Sequence, residues 1–140
     1  MSKTHNLFIS HSWNYDNAYY GLIKLLDNRS YFFYKNYSVP KNDPILNAAN
    51  RKMLYDAIKK QISYSHVVIL FAGVYASYSE WINNEIIIAQ NEFQFNKPIL
   101  AVRPWGAQRT SRIVTDAADI VVNWNTESII SAIRELSVGS

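Results

Sequence analysis

Residues 65–86 read SHVVILFAGVYASYSEWINNEI, and this stretch decides the fold. Five consecutive apolar residues, 67–71, show no alternation with polar ones, the pattern of a strand covered on both faces. Ala72 and Gly73 break the run, and a helical stripe of Ile82, Ile86, Ala89 and Phe93 follows. A doubly covered strand feeding a helix is the repeating unit of a parallel sheet.

The same unit recurs along the chain. Apolar runs at 7–9, 99–102 and 120–122 read as further buried strands, and the aromatic run 31–34 as another. Tyr19, Leu22, Ile23 and Leu26 form one helical stripe between them, and Leu54, Ile58 and Ile62 a second. Ile129, Ile133 and Leu136 form a last stripe, with Asn125 or Thr126 as its cap. Residues 110–118 make at most a short helix. Five alternating strands predict an α/β fold: a flavodoxin-like, doubly wound parallel sheet in the order 2-1-3-4-5, with helices on both faces.

With 140 residues the chain fits one domain, 1–140, and no repeat or linker interrupts it. The chain has no cysteine, which excludes disulfides and thiolate metal sites, and His5, His11 and His66 lack metal-ligand spacing. No metal is expected. Net charge is +3, but the basic residues are scattered, which argues against nucleic acid as a partner. Residues 1–6 are polar and the apolar run after them is too short for a signal peptide or a membrane span. A soluble, cytoplasmic protein is the expectation, with no membrane partner.

In a sheet of this order, ligands bind beyond the carboxyl ends of the strands where strand order reverses, here between the first and third strands. The loops meeting there are 10–16, with Ser10, His11, Ser12 and Trp13, and 73–80, with Tyr78. All four tryptophans (Trp13, Trp81, Trp105 and Trp124) follow strand ends, as do Tyr37, Tyr75 and Tyr78. Such rings either stack a base or a nicotinamide ring or simply cover the rim of the sheet. Glu85 lies four residues after Trp81 and so shares its helix face, on the flank of the apolar stripe.

Several chemistries are excluded. The four glycines, Gly21, Gly73, Gly106 and Gly139, form neither a P-loop nor a dinucleotide fingerprint. A phosphoacceptor receiver needs acidic residues where Ser10-His11-Ser12 and Phe71-Ala72-Gly73 stand. Ser10, His11 and Asp16 crowd one turn without a nucleophile elbow, so they do not form a hydrolase triad.

Taken together, FISHSW at 8–13, SVPKNDP at 38–44, the stretch 65–86 and KPILAVRPWG at 97–106 resemble TIR-like domains, including those of the Thoeris antiphage system. The resemblance implies a flavodoxin-like TIR fold and an activity on NAD. Catalytic members cleave the bond between nicotinamide and ribose, and Thoeris-type members release an ADP-ribose-derived signal, here expected to be cyclic, that a separate effector protein receives.

By the same resemblance Glu85 is the catalytic carboxylate. Ser10, His11, Ser12, Trp13, Asp43, Tyr78 and Trp81 are then substrate contacts, and residues 37–44 form a gate and an assembly surface. NAD enters as substrate, no bound cofactor is needed, and the active form is a homo-oligomer or filament. Ser12 and Trp13 stand where some members carry basic residues, which leaves phosphate recognition to Arg103, Arg109 or Arg112. Many TIR domains are not enzymes, so the alternative is a non-catalytic module acting by homotypic assembly or nucleotide sensing.

Overall fold

A computed structural model describes residues 3–12, 15–41, 48–73, 76, 79–104 and 110–137. The elements run β1 (Thr4–Ile9), β2 (His11–Ser12), α1 (Asp16–Asp27), β3 (Phe33–Asn36), β4 (Pro40–Lys41), α2 (Ala48–Ser63), β5 (Val67–Phe71), α3 (Glu80–Asn91), β6 (Ile99–Val102), α4 (Arg112–Ala117), β7 (Ile120–Val122) and α5 (Thr126–Leu136). Five strands form one sheet in the order β3-β1-β5-β6-β7. All its pairings are parallel, which is the 2-1-3-4-5 order of a flavodoxin-like sheet.

The apolar runs are continuous because alternate residues enter two different cores. Val67, Ile69 and Phe71 of β5 pack with Leu22 and Leu26 of α1 and with Ile129 and Ile133 of α5. Val68 and Leu70 turn the other way, onto Ile58 and Ile62 of α2, Ile82 and Ile86 of α3, and Val114 of α4. A strand has a side-chain period of two, so helices on both faces demand an apolar residue at every position.

The ends of the helices follow local chemistry. Asn125, not Thr126, caps α5, accepting from the Ser128 N–H at 3.0 Å. Ser79 caps α3 by accepting from Ile82 N–H at 3.2 Å, and Ser111 caps the six-residue α4 by accepting from Val114 N–H at 3.4 Å.

Two details depart from the sequence expectation. The aromatic strand lies at Phe33–Asn36, not 31–34, because Tyr31 takes a left-handed backbone with φ 60° and closes the turn before it. The chain also forms an unforeseen two-stranded parallel ribbon, in which His11 pairs with Pro40 and Ser12 with Lys41. Two-residue strands are too short to leave a periodic trace in a sequence.

The amino ends of the strands carry a buried histidine. His5 is stacked on Phe32 with ring centroids 5.2 Å apart, and its Nδ1 lies 2.7 Å from Ser137 Oγ. That hydroxyl already donates to the Ile133 carbonyl at 2.8 Å, so neutral His5 carries its proton on Nδ1 and donates it. Burial first, then the charges of Lys3, Arg134 and His66, hold His5 below its ordinary value of 6.5. His66 is lowered too, by burial and then by Lys3 and Lys97.

The unfolded chain therefore binds more protons than the folded one just below pH 6.5. The stability at stake is fully present above that value and declines as pH falls through it. We expect urea unfolding midpoints to fall between pH 7.5 and pH 5.5. His5→Asn keeps a donor near Ser137 without a titrating ring, so it should flatten that slope; an unchanged slope would remove His5 from the effect.

Candidate functional site

Strand order reverses between β1 and β5, and the described residues beyond these two strands build one cluster. Ser10 directly follows β1 and is 1% exposed; its N–H donates to the Ile69 carbonyl of β5 at 2.9 Å. That bond fixes the direction of the side chain. The Ser10 hydroxyl donates to Oε1 of Glu85 on α3 at 2.7 Å.

Glu85 has no exposed surface at all. The flank position expected for it is corrected here: it faces inward with Trp81, Ile82, Ile86, Ile88 and Ala89. Helix α3 is buried over a wider arc than its apolar stripe marks out. Trp81, one turn before Glu85, is 8% exposed and packs in the core shared with Phe8, Leu70 and Ala76.

His11 and Ser12 are buried in β2, but the imidazole makes its polar contact on the α1 side. Its Nε2 lies 2.7 Å from Asp16 Oδ1, and its ring lies flat on Tyr19 with centroids 3.8 Å apart. The Tyr19 hydroxyl receives the Asn36 amide at 2.6 Å and shares a hydrogen with Ser38 Oγ at 2.7 Å. Ser10 and His11 are thus neighbours in the chain that serve two different groups. Ser10 holds Glu85; His11 joins α1 to the segment after β3.

Sequence reasoning passed over Tyr15 and Gly73. Tyr15 packs against both core clusters, so it lies over the end of the sheet between its two faces. Its hydroxyl accepts from the Ala76 N–H at 3.2 Å. A Cβ built on Gly73 would come within 2.6 Å of that hydroxyl, which is the requirement for glycine there. The signal was a glycine two residues past a strand end; nothing in the sequence marks Tyr15.

Trp13, Asp43 and Tyr78 lie outside the described residues, as do Tyr75, Trp105 and Arg109. Of the remaining arginine candidates, Arg103 donates to Asn123 Oδ1 at 3.3 Å and Arg112 is exposed in the first turn of α4. Trp124 is half-buried against Phe71. Among the described residues no group of histidine and carboxylate side chains is placed to hold a metal ion.

Chemically, this arrangement is a carboxylate held by an oriented hydroxyl, in surroundings that exclude water, where charges act strongly on one another. Ser10→Ala removes this donor from a buried acceptor and should lower stability by about 1–3 kcal/mol. Trp81→Ala, an aromatic deletion in a packed core, should cost about 3–5 kcal/mol. Chemical denaturation of the two variants against the parent checks both values; a Trp81→Ala loss below that of Ser10→Ala would make Trp81 a rim residue.

Beyond the geometry, the chain carries the pattern of a known family. The family described as the Thoeris protein ThsB, TIR-like domain, matches residues 8–109, a span from β1 to beyond β6 that includes Ser10, Trp81 and Glu85. No curated protein matches the chain. Among the described residues no helix is long and apolar enough to cross a membrane. By this match over most of its length, the chain belongs to the family of Thoeris ThsB TIR-like domains.

Proposed function

We propose that this chain is a TIR-domain enzyme of antiphage defence that consumes NAD, cleaving the bond between nicotinamide and ribose. The observation that carries this reading is the buried Glu85 carboxylate, bonded to Ser10 at the switch point and one helical turn after Trp81. Family membership supplies the defence context.

In the reaction the C–N bond breaks and its electron pair returns to the pyridinium nitrogen, which leaves as neutral nicotinamide. Positive charge is left on ribose C1′ and its ring oxygen. A carboxylate facing that carbon stabilises the charge, as in glycoside hydrolysis. Water then adds to C1′ with loss of a proton, giving ADP-ribose; a nucleophile within the same molecule gives a cyclic product instead. The product is the signal that a separate effector protein receives. NAD is substrate, and Ser10 acts as a positioning residue, fixing one carboxylate oxygen.

Glu85 is fully covered in this structure, so the ribose reaches it only after the crevice opens. The same burial favours one competing reading: a carboxylate that serves structure alone, in a TIR-like module that works by assembly or nucleotide sensing. The two readings separate on one variant. Glu85→Gln retains an acceptor for Ser10 and nearly the same volume. It should keep the fold while lowering nicotinamide release from NAD by at least about 10²-fold, the scale of a lost charge-stabilising group. Mass spectrometry of products, beside thermal melts of both proteins, is the measurement. Equal turnover by parent and variant would remove Glu85 from the chemistry, and no nicotinamide from the parent would favour the non-catalytic module.

A further inference from the structure

Strand β3 closes one side of the sheet, and among the described residues no strand pairs with its outer edge. The N–H of Tyr37 donates to the Leu7 carbonyl at 2.8 Å, and this bond sets the phase of the whole strand. In a parallel ladder, alternate residues direct both backbone groups to the same neighbour. Phe33, Lys35 and Tyr37 therefore spend theirs on β1, while Tyr34 and Asn36 direct their N–H and C=O groups outward.

This open edge is also aromatic. Tyr31 is 81% exposed and Phe33 50%, and both line a surface groove of about 490 Å³ with Phe32, Tyr34 and Lys35. Unpaired backbone groups at a sheet edge are a template for strand addition. Tyr34 itself is anchored on the α1 face, its hydroxyl donating to Asp27 Oδ1 at 2.6 Å, so Phe33 and Lys35 face the other way.

We propose that this edge pairs antiparallel with the same edge of a second copy of the chain, centred on Tyr34. The occupant follows from complementarity. A closed two-fold pairing that uses the outward groups has three short registers, centred on Tyr34, Lys35 or Asn36. Centring on Lys35 sets Lys35 directly opposite its own copy, and like charges in that position are destabilising. Centring on Tyr34 lets the two Tyr34 residues exchange both backbone bonds. It then sets Phe33 of each copy opposite Lys35 of the other, on one face, where an ammonium lies beside an aromatic ring. Centring on Asn36 sets Lys35 opposite Tyr37 instead, but the Tyr37 ring already packs against Tyr64 with centroids 5.8 Å apart, and the exposed Phe33 is left without a partner strand residue.

The absence of cysteine makes the test clean, since any disulfide comes from an introduced pair. In the Tyr34 register Phe33 and Lys35 of different copies form a close non-bonded pair with Cα atoms about 4.5 Å apart. Phe33 and its own copy lie on a diagonal about 7–8 Å apart, at or beyond the reach of a disulfide. Mixing Phe33→Cys with Lys35→Cys protein under mild oxidation should therefore give a mixed disulfide dimer in high yield. Each variant alone should give little. A Lys35→Cys dimer alone would establish the register centred on Lys35, and no dimer in the mixture would exclude the one centred on Tyr34; either result overturns the proposal.

Charge provides an independent arm. Phe33→Lys places lysine opposite Lys35 twice and should return a monomer in analytical ultracentrifugation, whereas Phe33→Glu should leave the dimer at least as tight as the parent. Equal masses for both variants and the parent would overturn the pairing. Circular dichroism of each variant confirms that the fold is intact, which the exposure of Phe33 favours. Neither readout involves NAD, so this outcome stands apart from the catalytic reading.

Discussion

A carboxylate with no contact to solvent is expensive to hold in a protein interior, and the bond from Ser10 to Glu85 is part of what makes it tolerable here. That bond joins two elements with separate origins. The hydroxyl is placed by the sheet, through the Ser10 N–H on Ile69, and the carboxylate by α3, whose start is set by the Ser79 cap. Neither element has freedom to slip. A one-residue rotation of α3 would bring Asn84 or Ile86 toward Ser10 and turn Glu85 either into the apolar core or toward solvent, so the polar pair also fixes helix register.

The fold was legible because its signal is redundant. Val67 to Phe71 fill both cores in alternation, and every strand of the main sheet but β3 repeats that apolar run. Strand β3 was misplaced by two residues because FFYKN carries no alternation and the left-handed Tyr31 looks like a strand residue on propensity alone. Ribbon β2–β4 was invisible since it rests on tertiary pairing between positions 29 residues apart, such as His11 and Pro40.

The site was half legible. Spacing placed Trp81 and Glu85 on one helix face and the strand order placed Ser10 near them, but the contact between Ser10 and Glu85 spans 75 positions and has no local trace. Burial of Glu85 was underestimated for a related reason. A hydrophobic stripe counts apolar residues only, so a carboxylate that faces inward registers as the edge of the stripe. Tyr15 had no signal at all, being one aromatic among several until the loop after β5 folds against its hydroxyl.

The contacts around Ser10 fall into two sets. On one side, Ser10 is held by the main sheet and Glu85 by a capped helix packed in the core. On the other, His11 and Tyr19 form a flat stack that is tied to β3 through Asn36 and Ser38, which are side-chain bonds at a strand end. Tyr19 is 7% exposed, so the stack lies almost wholly out of solvent. Moving the first side would break the buried bond from Ser10 to Glu85, whereas the contacts of the second side do not include it. The backbone groups of Asn36 face the open edge of β3, so this second set of contacts ends at the surface where a second copy would dock.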